Sequence, residues 1–141
     1  MTTGVTDLAL LLRTMQPVLH EGVYVYAIVA KDHDLASLSA IGTFREAEGI
    51  TVIVPEAAAH AAGIPVLFRA AWITLTVHSA LHAIGLTAAF ATALGDAGLS
   101  CNVVAGACHD HLFVPVEDGP RALEVLGALQ RRAAAACRAA T

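Results

Sequence analysis

The chain has 141 residues, enough for one domain or for two small halves that share a core. Hydrophobic residues make up 57% and charged residues 14%, which excludes intrinsic disorder over most of the length. A net charge of -4 removes the electrostatic basis for nucleic-acid binding, and so few charges on the exterior imply that part of it is covered by another subunit.

Leu8, Leu11, Leu12 and Met15 recur at helical spacing, so a helix is expected over 6–16, capped by Thr6 or Asp7 and stopped by Pro17. Residues 24–30 read as a strand and 31–39 as a loop. Strands over 41–45 and 50–54 flank Glu46-Ala47-Glu48-Gly49, a hairpin pattern. Pro55 suits the first turn of a helix running to Ala62, with Gly63 just beyond it. Residues 65–68 are a candidate fourth strand. The second half opens on a strand over 72–78. Gly85 precedes a helix over 86–97 that buries Leu86, Ala89, Phe90, Ala93, Leu94 and Ala97, and Gly98 ends it. Strands over 101–105 and 111–114 follow. Pro120 opens a last helix with Leu123, Leu126 and Leu129 on one face, and the Ala-rich tail after Arg132 extends it or frays.

An internal repeat runs through these elements. Ile53-Val54-Pro55 matches Phe113-Val114-Pro115 at an offset of 60. The first strands, taken from Tyr24 and Trp72, are offset by 48, so the first half is short by 12 residues, the length of the helix over 86–97. The second half is thus β-α-β-β-α, and the first is the same unit with its first helix lost or shrunk. That order, with two helices on one face of an antiparallel sheet, is the ferredoxin-like pattern. The second half shows no strand after its last helix, so its sheet edge must be covered by the other half or by another chain.

The run GLTAAFATALGDAGLSCNVVAGACHDHLFVP, Gly85 to Pro115, resembles the ACT domain, the small regulatory module of amino-acid metabolism. MQPVLHEGVYVYAIV, TFREAEGITVIVP and WITLTVHS extend the likeness over Leu8 to Gln130, to a small bacterial tandem-ACT family. The CASTOR arginine sensors look like more distant relatives on the same plan. The resemblance implies an α+β fold of two ferredoxin-like ACT units with antiparallel sheets, the first lacking most of its first helix. Residues 1–69 form the first, degenerate unit with the N-terminal helix, and 70–141 the second with the Ala-rich C-terminal helix.

It also implies a ligand site. A helix N-terminus presents unpaired N–H groups to a carboxylate, and in ACT domains this loop and the next strand hold the effector. Gly85, Leu86 and Thr87, with His78 and Ser79 before them and Asn102 and Val103 beside them, are the candidates. Asp110 is the expected partner of a ligand ammonium group, and His111 lines the pocket.

Other chemistries have weaker support. Seven histidines invite a metal, and His109 and His111, two apart in a strand, can share a face. No CxxC, HExxH or acidic cluster accompanies them, and no metal or other cofactor is expected. Cys101, Cys108 and Cys137 make an odd count without metal spacing and read as reduced thiols. Pairs of Cys101 or Cys108 with His78 or His109 are conceivable nucleophiles, but nothing in the sequence orients them. No signal peptide and no membrane span are evident. The expectation is a cytoplasmic homodimer, not an enzyme, that binds an amino acid at an ACT–ACT interface and acts through that interface or a protein partner. The alternatives are a ligand-free interaction module and a His-rich metal-binding protein.

Overall fold

The structure is a computed structural model, and it describes residues 6–140. Helix α1 spans Leu8–Thr14, and its N-cap Asp7 accepts a hydrogen bond from the Leu10 amide at 3.1 Å. Seven strands follow with three further helices: β1 (Pro17–Leu19), β2 (Tyr24–Val29), β3 (Gly42–Arg45), β4 (Ile50–Pro55), α2 (Glu56–Ala61), β5 (Phe68–Leu75), α3 (Leu86–Asp96), β6 (Asn102–Ala105), β7 (Asp110–Pro115) and α4 (Gly119–Ala139). The Ala-rich tail extends α4, since alanine is the strongest helix former.

All seven strands lie in one antiparallel sheet of order β3-β4-β2-β5-β7-β6, with β1 also on β5. Each half is therefore a ferredoxin-like unit that takes its missing edge from the other. β5 begins at Phe68, four residues ahead of the expected start, because Phe68–Ala70 pair with β2 while Ala70–Leu75 pair with β7. It serves as last strand of the first unit and first strand of the second. In return β1 lies against Leu75, Thr74 and Ile73, which covers the edge left open after α4.

The repeat is visible in the burial. β4 and β7 carry the same sequence of buried and half-buried residues, and they are offset by 60 throughout. Register corrects the other offset. Tyr26 faces Ile53 and Trp72 faces Phe113, so the first strands are offset by 46 (72 less 26), and the first half is short by 14 residues, not 12. Where the second half has α3, the first has only a 3-10 turn at Ala36–Leu38.

Helices cover one face of the sheet. Over the second half, Leu11, Met15, Phe90, Leu94 and Leu126 pack on Ile73, Leu75, Leu112 and Val114. Over the first, Leu38, Ala59 and Ile64 pack on Val25, Val52 and Val54. Of the expected α3 face, Leu86, Phe90 and Leu94 are buried and the three alanines are half-buried. α1 precedes the first unit in the chain but packs on α3 and α4 of the second.

The β3–β4 hairpin closes where a Cβ on Gly49 would stand 2.5 Å from the Val29 carbonyl oxygen. Gly49→Ala is accordingly expected to cost about 1–3 kcal/mol, read as a lower urea midpoint with an unchanged slope.

Candidate functional site

Alternation along β7 divides the expected site residues between two faces. Leu112 and Val114 face the helices, so Asp110 does too. His111 and Phe113 face the open side. Direct pairing puts Asn102 with Phe113 and Val103 with Leu112, so Asn102 joins the open face and Val103 the helix face. Asp110, Val103 and the start of α3 therefore lie on one side of the sheet, and Asn102 and His111 on the other.

On the helix side, Asp110 pairs with Leu75, the last residue of β5, and with Ala105. Residues 76–85, including His78 and Ser79, lead from that point to α3. Its N-cap is Gly85, at a left-handed φ of 99°, and no side chain among the described residues caps the helix. Glycine is needed there for the φ and for room, because a Cβ would stand 2.8 Å from the Leu8 side chain of α1. The close approach at Gly85 is thus to α1. Leu86 is buried and Thr87 exposed.

Asp110 is only 7% exposed, and no hydrogen bond reaches its carboxylate among the described residues, but its oxygens keep contact with the surface, since no fully buried side-chain oxygen there lacks a partner. Burial raises its pKa above the ordinary 3.8, against the imidazoles of His111 and His109, which pull it down. The repeat places an apolar residue there. Ile50 holds the same position in the first half, also buried. That end of the first half instead opens a cavity of about 220 Å³ lined by Lys31, Arg45 and Glu46.

On the open side, sequence reasoning missed a cluster around Trp72. Tyr24, Tyr26, Phe68 and Trp72 gather on Ile53, Ala70 and Phe113. The signal was present as aromatic residues at alternate positions of β2 and β5. His20 stacks on Trp72 at 3.6 Å, and its Nε2 lies 2.7 Å from Thr74 Oγ1. Trp72 Nε1–H donates to His111 Nδ1 at 3.1 Å, and Thr74 Oγ1 is 3.0 Å from the same nitrogen. An indole only donates, so His111 Nδ1 is unprotonated and the ring proton sits on Nε2.

Burial lowers the pKa of His111 below 6.5, with His109 and His20 adding to the effect and Asp110 opposing it; burial also lowers that of His20. In this window the unfolded chain binds more protons, so these groups make stability rise with pH up to 6.5 and weaken it as pH falls toward their folded values. Trp72 is the chain's single tryptophan. Its emission is expected to change on acidification with a midpoint below 6.5; His111→Gln should reduce that transition, and His111→Gln combined with His20→Gln should remove it.

The other expectations have simple positions. His109 Nδ1 lies 3.3 Å from the Val77 carbonyl oxygen, whereas His111 Nδ1 meets Trp72 and Thr74. No group of three or more metal-ligating side chains occurs among the described residues. Burial pushes the Cys101 thiol up to about 11, so it stays protonated and a poor nucleophile at neutral pH. No helix among the described residues is long and apolar enough to cross a membrane.

Family comparison agrees with the repeat. The ACT-domain family matches residues 3–71 and, in a second form, residues 67–128. The two matches overlap over residues 67–71, at the start of β5. Among solved structures, a Vibrio cholerae protein of unknown function, described as a possible transport protein, is 45% identical. The match covers 91% of this chain and 99% of that one, with a TM-score of 0.78. An Agrobacterium tumefaciens protein shares the fold at 15% identity and TM-score 0.64, over 82% of this chain and 89% of that one. The ligand-free regulatory subunit of aspartate kinase from Thermus thermophilus shares it at 10% identity and TM-score 0.60, over 82% and 96%. No curated protein sequence matches the chain.

Proposed function

The chain belongs to the ACT-domain family, as two ACT domains in tandem, and we propose that it is a non-catalytic regulatory protein that binds a free amino acid. One observation carries this reading. Asp110 is 7% exposed and receives no hydrogen bond from the described residues, yet its carboxylate oxygens still reach the surface, and it lies on the same side of the sheet as the start of α3, which no described side chain caps. A buried charge is costly unless paired, and the repeat has an isoleucine in its place. A ligand ammonium group would pair with Asp110, and the amides of Gly85, Leu86 and Thr87 would take the ligand carboxylate. Val103, Ser79 and His78 would border the same space, with Asn102 and His111 behind the sheet.

Binding would order residues 76–85, which carry the exposed Leu81 and Ile84, and so favour one arrangement of that surface over another. A homodimer fits this reading. The chain exposes 7902 Å², against about 6,900 Å² for a compact monomer of this mass. Output would then pass through the dimer interface or a protein partner in the cytoplasm.

A thermal-shift screen against the twenty amino acids tests the proposal. At a concentration 100-fold over Kd, a true ligand adds about 2.7 kcal/mol, a rise of several degrees. A flat response to all twenty on folded protein would move the reading to a ligand-free interaction module, for which Leu81 and Ile84 are the contact candidates.

A further inference from the structure

The open face holds a second recess, separate from Asp110. The sheet curls so that its two outer strands, β3 and β6, line one cavity of about 310 Å³ over Tyr26 and Ile53. Gly42 and Phe44 wall it on one side, and Asn102 and Val104 on the other. A smaller pocket of about 50 Å³ shares Gly42, Ile53 and Val104 and leads to Trp72 and His111. The curl explains why Ile53 and Phe113 are buried on a face that no helix covers.

The lining decides what fits. Among the described residues, neither cavity is lined by an Asp, Glu, Lys or Arg side chain, so a zwitterion or carboxylate would lose its water and find no counter-charge. The walls are aromatic. Tyr26 meets Phe113 edge-on at 5.6 Å, and Phe113 stacks with Trp72 at 6.3 Å. The polar groups are uncharged and all can donate, the hydroxyls of Thr43 and Thr51 among them. Burial raises the Tyr26 phenol to about 12, so it keeps its proton; Asn102 carries an amide; and His111 holds its proton on Nε2 because Trp72 occupies Nδ1. The main cavity is within the size range of small-molecule pockets.

We propose that this recess binds an uncharged, flat aromatic molecule bearing a hydrogen-bond acceptor, at a site independent of Asp110. Acetophenone is a suitable probe, and benzoate is its charged counterpart of equal size. In ¹H–¹⁵N NMR titrations, acetophenone is expected to shift the Trp72 indole N–H and the amides of Gly42, Asn102 and Val104 saturably, and benzoate to bind at least about tenfold more weakly. Gly42→Leu fills the recess, and its new Cβ meets only the Ile53 side chain, at an ordinary 3.5 Å. It should weaken acetophenone by at least about tenfold with the fold retained. Val104→Glu, at the rim, should do the same, and Asp110→Ile should change nothing.

Three results would overturn the proposal. Acetophenone leaves these resonances unmoved up to its solubility limit, or benzoate binds as well, or both blocking variants bind acetophenone normally. Sedimentation gives a fourth: a wild-type dimer that Gly42→Leu dissociates, with acetophenone excluded, would mean that a second copy fills the recess.

Discussion

Asp110→Ile is expected to make the protein more stable at neutral pH and unresponsive to amino acids. The substitution installs the residue that the repeat itself places there, Ile50, in an equally buried position. It removes a carboxylate that burial partly desolvates and no described residue hydrogen-bonds; because its oxygens still reach the surface, the gain stays below the ~1–3 kcal/mol of a fully buried unpaired polar group. The gain follows pH in a defined sense. Asp110 has a folded pKa above 3.8, so the folded state holds the proton more tightly than the unfolded chain does. Its stabilising contribution is present at pH values below 3.8 and is lost as pH rises through the folded value. Wild type and variant should therefore converge in acid and diverge toward neutrality, with the variant higher. Thermal melts from acid to neutral pH check this. A variant less stable than wild type at neutral pH would mean that Asp110 is part of the structural core, and the case for a ligand there would fall.

Leu11→Ala is expected to cost about 2–5 kcal/mol, the range for a fully buried leucine, although it lies in a seven-residue helix near the chain start. Leu11 belongs to the cluster that contains Phe90, Leu94 and Leu126, all without exposed surface. Its loss should unsettle the second unit through α3 and α4. Non-additivity with Leu126→Ala in denaturant melts is the signature of that shared cluster. A cost under 1 kcal/mol, or simple additivity, would make α1 an appendage.

Much of this architecture was legible in the sequence. Ile53-Val54-Pro55 and Phe113-Val114-Pro115 mark strands that end at helix starts, and both do so because proline donates no ladder hydrogen bond and suits a first turn. The helix α3 was legible from Leu86, Phe90 and Leu94 at helical spacing and from Gly85 and Gly98 at its ends. What escaped was tertiary. β5 starts at Phe68 because β2 is there to pair with it, and no local pattern in residues 68–71 reports that partner. α1 caps the second unit because β1 closes on β5, a contact 56 residues away in sequence between Val18 and Thr74.

The site was half legible. Asp110 and His111 are adjacent in sequence and so were grouped, yet the period of two in a strand sends them to opposite faces. The same rule, applied to Tyr24, Tyr26 and Trp72, would have found the aromatic face. The glycine at 85 was legible as a helix entry, but its neighbour Leu8 was not, since α1 reaches it only in the folded chain.

The most direct test of amino-acid recognition is a ¹H–¹⁵N NMR titration of the wild-type protein with the amino acid that most raises its melting temperature. The account predicts saturable shifts concentrated at the amides of Gly85, Leu86 and Thr87 and at Asp110, all absent in Asp110→Ile. Shifts centred instead on Lys31 and Arg45, or unchanged by Asp110→Ile, would contradict it.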